Sequence, residues 1–268
     1  MNPYDAICLP AMQALGVIGV LAALAWMASL ARRDASLADR FWPLFIAAAA
    51  LVYAVQSAPL TARGLLMLAL VMAWALRLGG YITRRNWGHG EDRRFAALRT
   101  KHGAQFGWRS LYLVFGLQGL LAWLVSFPLL AGLASRAALT PFDLLGGALC
   151  LFGILYEAVA DRQMANFLRD PAQRGGVMAR GLWAYSRHPN YFGEACVWWG
   201  LGAMAVASGA AWALVSPVLM TVLLLRVSGV TLLEKDIAER RPGYRDYVRR
   251  TNAFFPGLPR GSGKPCAG

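Results

Sequence analysis

The chain has 268 residues, 57% of them apolar and only 15% charged, against roughly 45–50% and 25% in soluble domains. Ten tryptophans and a mean hydropathy of +0.43 point the same way, excluding a disordered chain, a coiled coil, a collagen-like chain and most soluble enzymes in favour of an integral membrane protein. The net charge of +13 fits basic loops held on the cytoplasmic side of a membrane, and with no basic domain apart from the apolar segments no nucleic-acid partner is expected.

A spanning helix needs about 20 mostly apolar residues. Seven such segments are predicted in chain order, at 9–31, 41–59, 63–83, 110–134, 141–166, 190–208 and 210–233. The expected fold is all-α and polytopic, one membrane domain over 1–256 with a flexible Gly- and Pro-rich tail at 257–268. The first run lacks a basic n-region and a small-residue cleavage site, so it reads as a retained helix rather than a signal peptide. Pro43, Pro141 and Pro189 are expected at helix starts, where a missing N–H costs nothing. Pro128 and Pro217 fall inside spans as expected kinks. With the N-terminus outside, 23 Lys and Arg lie on the cytoplasmic side and two, Arg63 and Arg136, on the other; this fixes the expected orientation, with the C-terminus in the cytoplasm. Cys8, Cys150, Cys196 and Cys266 are scattered without paired spacing, which argues against a disulfide framework or a zinc site.

Ionisable residues inside membrane helices are costly and mark functional positions. Here they are Arg77, Glu157, Asp161, Glu194, Arg226 and Glu234. Glu157 and Asp161 are four apart and share a helix face. By residue count all of these fall in the cytoplasmic half of the bilayer, which suggests a water-filled pocket open to the cytoplasm; the alternative is a set of structural ion pairs.

The densest feature is the run Arg180 to Glu194, which includes Tyr185-Ser-Arg187-His188-Pro189-Asn190-Tyr191-Phe-Gly193-Glu194. Pro189 presets a helix start, so Arg187 and His188 flank a helix N-terminus suited to an anion. Asn190 and Glu194 face the same way one turn apart. The pattern suits a ligand with an anionic group at the mouth and a polar head further in, such as a nicotinamide dinucleotide or a zwitterionic cofactor. Downstream, Tyr244 and Tyr247 sit among arginines, as a basic helix resting on anionic membrane lipid, as a lid over the pocket, or as both.

Arg180–Glu194, together with the Glu-Lys and Pro-Gly-Tyr…Tyr…Arg-Arg-Thr…Phe-Pro elements of residues 234–256, resembles the C-terminal region of the steroid 5-alpha-reductase superfamily. Ser36–Trp42, Arg84–Asp92 and Phe106–Gln118 extend the likeness to its short bacterial branch of membrane proteins. The resemblance implies a seven-helix enzyme that binds NADPH between its C-terminal helices and cytoplasmic loops and reduces a C=C bond conjugated to a carbonyl. It implies that Asn190 and Glu194 belong to the dinucleotide motif, that Asp161 contacts the cofactor, and that Arg169 and Arg180 lie near its phosphates. Tyr185, Arg187, His188, Tyr244 and Tyr247 complete the expected cofactor set.

Steroid reductases polarise the substrate carbonyl with a glutamate on the second helix and a tyrosine on the third. Here the second helix offers only Gln56 and Ser57, and aligning Arg77 and Tyr81 puts Trp74 at the tyrosine position. Gln56, Trp74, Arg77 and Tyr81 are therefore the candidate electrophilic residues. The expected substrate is a lipid-soluble small molecule, met by a monomer in the cytoplasmic membrane. Two other readings stay open: an S-adenosylmethionine-dependent methyltransferase of the isoprenylcysteine or phospholipid type, which shares an Arg-His-Pro-x-Tyr segment, and a non-catalytic lipid-binding protein.

Overall fold

Apolar runs long enough to satisfy their own backbone polar groups become helices, because helix is the one open-ended conformation that leaves no N–H or C=O unmet in lipid. The computed structural model describes residues 5–227, 237, 241 and 243–260, and among these there is no β-strand. In chain order the helices are α1 (Asp5–Arg32), α2 (Leu37–Gln56), α3 (Ala62–Asn86), α4 (Arg93–His102), α5 (Phe106–Ser110), α6 (Leu117–Val125), α7 (Phe127–Ala134), α8 (Pro141–Arg169), α9 (Pro189–Ala207), α10 (Val215–Val222) and α11 (Tyr244–Arg250). Five helical stretches are long and apolar enough to cross a membrane: Ile7–Arg32, Leu37–Gln56, Ala62–Asn86, Arg93–Ala134 and Pro141–Arg169. The chain is thus an all-helical, multi-pass membrane protein.

Helix α9 forms at the sixth predicted segment, but its Asn190, Glu194 and glycines keep it outside those five. The seventh segment begins with a 3-10 turn, Ala211–Leu214, and continues as α10 and a π-helical turn, Leu223–Val227; residues 228–233 and Glu234 lie outside the described residues. Pro141 and Pro189 open their helices as expected. Pro43 does not: α2 starts six residues earlier, at Leu37, and carries Pro43 in its interior. The fourth segment is not one smooth helix. A π-helical turn at Leu111–Gly116 precedes α6, and Ser126 ends α6 and begins α7 just ahead of Pro128. The Ser126 Oγ lies 2.9 Å from the Tyr53 hydroxyl, both buried.

The chain divides into two compact units. The first holds residues up to Gly147 together with Leu201–Ser216. Its firmest feature lies at Arg63, which the sequence places in an outer segment. Arg63 and Asp143 are both 0% exposed and form a two-pronged ion pair, Nε to Oδ1 at 2.6 Å and Nη2 to Oδ2 at 2.8 Å. The remaining guanidinium protons go to Ser135 Oγ and to the carbonyls of Ala137 and Ala138 at 2.9–3.1 Å. Thr140 caps α8 and gives both its N–H and its hydroxyl to Asp143. Each residue sits in the first turn of its helix, which is why the linear sequence places them at an interface.

At the other end of α2 and α3 the segments Ser36–Trp42, Arg84–Asp92 and Phe106–Gln118 converge. The Asp92 N–H donates to Ser36 Oγ at 2.7 Å and the Ala35 N–H to Glu91 at 2.8 Å. Arg94 and Gln118 both donate to Asp39. Burial pushes the Glu91 carboxyl up, but hydrogen bonds from Arg99 and Ala35 and the Arg99 charge outweigh it and hold the group below its ordinary range. Asp92, where Arg94 opposes burial, is held low in the same way.

Candidate functional site

The second unit comprises Ala148–Gly200 and the residues from Pro217 onward. Two glycines set its geometry. A Cβ on Gly153 would stand 2.5 Å from the Gly193 carbonyl oxygen, and one on Gly193 would stand 2.8 Å from the Glu157 backbone nitrogen. Only glycine at both positions lets α8 and α9 touch backbone to backbone.

That contact gathers acids from the two helices. Glu157, Asp161 and Glu194 are each 4% exposed. The Asn190 side-chain NH2 lies 3.5 Å from Asp161 Oδ1, while Asn190 Oδ1 is buried and accepts no hydrogen bond. Trp198 Nε1 donates to Glu194 at 3.0 Å, one turn further along α9. His188 is buried and stacks on Tyr191, ring centroids 5.5 Å apart and planes 6° from parallel. Asp161 and Asn190 are thus brought together, with Glu194 one turn further along α9.

The flanking residues do different work. The chain after α11 lies alongside the 184–187 stretch: Ser186 bridges to Asn252, the Arg187 N–H donates to the Asn252 carbonyl at 2.8 Å, and Gly257 donates to the Tyr185 carbonyl at 3.0 Å. Arg187 Nη1 donates to the carbonyls of Thr251 and Val248, at 2.7 and 3.3 Å. The Tyr247 hydroxyl donates to the Trp183 carbonyl, and Ser186 Oγ to that of Phe254. Tyr244 packs against Tyr247, ring centroids 5.8 Å apart. Arg187 and Tyr247 therefore tie the C-terminal segment to the loop ahead of α9. Within the expected tail, Gly257 and Arg260 are hydrogen-bonded, and residues 261–268 lie outside the described residues. Sequence reasoning passed over Ser186, Thr251 and Asn252, whose only signal was their place beside the Tyr-Ser-Arg-His-Pro and Arg-Arg-Thr elements.

Arg180 lines a cleft of about 420 Å³ with Gln163, Asn166, Phe167, Asp170 and Met178. Two of its lining residues, Phe167 and Met178, belong with Trp183 to a buried cluster, and four others are polar: Gln163, Asn166, Asp170 and Arg180. Gly181, at φ +59°, would clash with Gln163 if it carried a Cβ, and Gln163 in turn accepts the Leu182 N–H at 2.9 Å. Arg169, at the end of α8, and Tyr185 are exposed, as is Arg226 on the π turn after α10. Among the described residues, no group of three or more His, Cys, Asp and Glu is placed to hold a metal ion.

The four candidate electrophiles belong to the first unit and do not form one cluster. Trp74, Arg77 and Tyr81 share a face of α3, with Trp74 fully buried and the Arg85 guanidinium over the Tyr81 ring. Gln56 is exposed at the end of α2 beside the start of α3. Trp74 lies twelve residues along α3 from Ala62, about 18 Å at 1.5 Å per residue.

Fold and site together define a multi-pass helical membrane protein with a buried polar centre between two of its helices. Residues 25–251 match the family model described as "Protein of unknown function (DUF1295)". The chain belongs to that family, which is related to steroid 5-alpha-reductase. It is also similar to "Uncharacterized protein C594.04c" of Schizosaccharomyces pombe (strain 972 / ATCC 24843), 26% identical over 275 residues, which cover 89% of this chain and 77% of the yeast protein. No solved structure matches.

Proposed function

We propose that the chain is a membrane-bound, NADPH-dependent reductase of an activated C=C bond in a lipid, steroid-like or isoprenoid substrate, from the short bacterial branch of the superfamily. It crosses the cytoplasmic membrane seven times as a monomer, with the N-terminus outside and the cofactor pocket facing the cytoplasm. The observation that carries this reading is Asn190, whose buried Oδ1 has no hydrogen-bond partner although its NH2 faces Asp161.

A buried acceptor left unmet costs about 1–3 kcal/mol, and a carboxamide N–H would relieve that cost. The residues present fit a nicotinamide dinucleotide. Asn190 and the acids Asp161 and Glu194 suit amide and ribose hydroxyl donors. Arg180 and the polar cleft beside it suit a phosphate-bearing end, where a guanidinium can pair bidentately. When bound, such a cofactor supplies a hydride. The chain's own part is to hold its polar head at the α8–α9 contact; Arg77 and Tyr81, on α3, are the candidates to polarise a substrate carbonyl.

Thermal stability of the purified protein with NADPH, NADH or S-adenosylmethionine tests the reading. NADPH should stabilise most. Equal shifts with NADH would remove the phosphate argument, S-adenosylmethionine acting alone would make the chain a methyltransferase, and no shift with any of them would favour the lipid-binding reading. Topology has its own test. In a background free of native cysteines, a cysteine at Tyr185 should react with an impermeant thiol reagent from the cytoplasmic face and one at Leu139 from the opposite face. The reverse pattern would overturn the orientation.

A further inference from the structure

Helices α1 and α2 form a hairpin through the turn at 33–36. Along it runs a groove of about 720 Å³, within the size range of small-molecule sites. Its body is apolar, lined by Val17, Val20 and Leu21 on α1 and by Leu51, Val52 and Val55 on α2. Gly16 opens its wall: a Cβ built there meets no atom within 4 Å.

Among the described residues the polar side chains lining it are two amides, Gln13 and Gln56, both exposed. Each stands nineteen residues from its end of the connecting turn, at Arg32 and Leu37. They are therefore level with each other, about 28 Å from the turn at 1.5 Å per residue. The hydrocarbon core of a bilayer is roughly 30 Å thick. With Arg32 at one interface, the amides reach the opposite edge of the hydrocarbon, the depth at which a glycerolipid carries its ester groups. Among the described residues no charged side chain lines the groove, which suits an uncharged ligand.

We propose that this groove binds one neutral glycerolipid, its ester carbonyl accepting from the Gln13 and Gln56 amides and its acyl chain lying between Val17–Leu21 and Leu51–Val55. Amide donors in an apolar surround are strongly drawn to an acceptor, and the chain replaces solvent-like contact along the groove with close packing. The site lies wholly within the first unit and does not depend on the reductase reading.

The experiment uses the full chain in vesicles of an ether-linked phosphatidylcholine, which has no ester carbonyl, with a monoacylglycerol that carries a mid-chain diazirine. After irradiation, adducts should map to 17–21 and 51–55, saturate with dose and be competed by unlabelled monoacylglycerol. Gly16→Leu, whose Cβ meets no atom within 4 Å, places a side chain in the groove and should cut those adducts about tenfold. Gln13→Leu with Gln56→Leu should weaken competition several-fold while leaving thermal stability near that of the parent. Adducts spread over all lipid-facing helices, unsaturable and indifferent to Gly16→Leu, would reduce the groove to ordinary boundary lipid and overturn the proposal.

Discussion

Two buried polar centres invite comparison. In the first unit, the Arg63–Asp143 pair uses its donors on each other, on Ser135 and on two backbone carbonyls. In the second, Asp161 and Asn190 meet at 3.5 Å, near the limit of a hydrogen bond, and Asn190 Oδ1 is left without a donor. The first centre is closed, as a structural clamp should be. The second retains capacity, as a binding site should. Burial of charge alone does not separate the two cases; the accounting of each donor and acceptor does.

Breaking the closed centre should give the largest effect. Arg63→Ala strands the Asp143 carboxylate, and losing one partner of a buried pair costs about 3–5 kcal/mol. Unfolding in detergent should show that loss, whereas Arg63→Met combined with Asp143→Leu should recover much of it. A stability loss below about 1 kcal/mol for Arg63→Ala would mean that water reaches the pair.

The open centre should respond in the opposite way. Asn190→Ala should leave unfolding within about 1 kcal/mol of the parent, the range of ordinary substitutions, and weaken NADPH binding about tenfold, a difference of about 1.4 kcal/mol. Stability and affinity are read on the same samples. Lost stability with affinity intact would make the second centre another clamp.

Arg187 sharpens the comparison because it belongs to neither kind. Its guanidinium is engaged with the carbonyls of Thr251 and Val248, so Arg187→Met should release the C-terminal segment to proteolysis. Hydrogen bonds from a charged group are worth about 1.5–3 kcal/mol. NADPH affinity should fall less than with Asn190→Ala, and a fall as large would return Arg187 to direct cofactor contact.

The smallest effect is one of pH. Glu91 and Asp92 have folded-state pKa values below their ordinary ones, which lie near about 4.3 and 3.9. Their contribution is therefore full above those unfolded values and is lost as pH falls through the folded ones. Both are partly solvated, so the loss should stay under about 1 kcal/mol. Hydrogen exchange at the Ala35 and Arg94 amides, which donate to Glu91 and Asp92, should quicken between pH 6 and pH 3 once corrected for intrinsic rate; constant protection would show that the Glu91 and Asp92 carboxylates are not needed there.

Much of this was legible in the sequence because it rests on composition and local spacing. Apolar runs gave the long helices, Pro141 and Pro189 gave two of the helix starts, and the four-residue spacings 157/161 and 190/194 gave the faces that meet. What stayed hidden depends on partners distant in the chain. Asp143 lies eighty residues from Arg63, and nothing near either one announces the other. Gln56 invited attention as a substitute for a missing carboxylate, yet its environment is set by Gln13 and Gly16 on another helix. Arg187 and Tyr247 belong to the expected cofactor set, and their hydrogen bonds include backbone carbonyls, which leave no trace in side-chain patterns.

The strap of residues 251–257 along 184–187 has a consequence for synthesis. A ribosome delivers α8, the loop and α9 well before it delivers Asn252 and Phe254. Until then Ser186 and Arg187 lack the acceptors that hold them, and the approach to Asn190 cannot take its final form. A chain cut short before Thr251 would therefore insert its helices and leave the loop ahead of α9 unfinished.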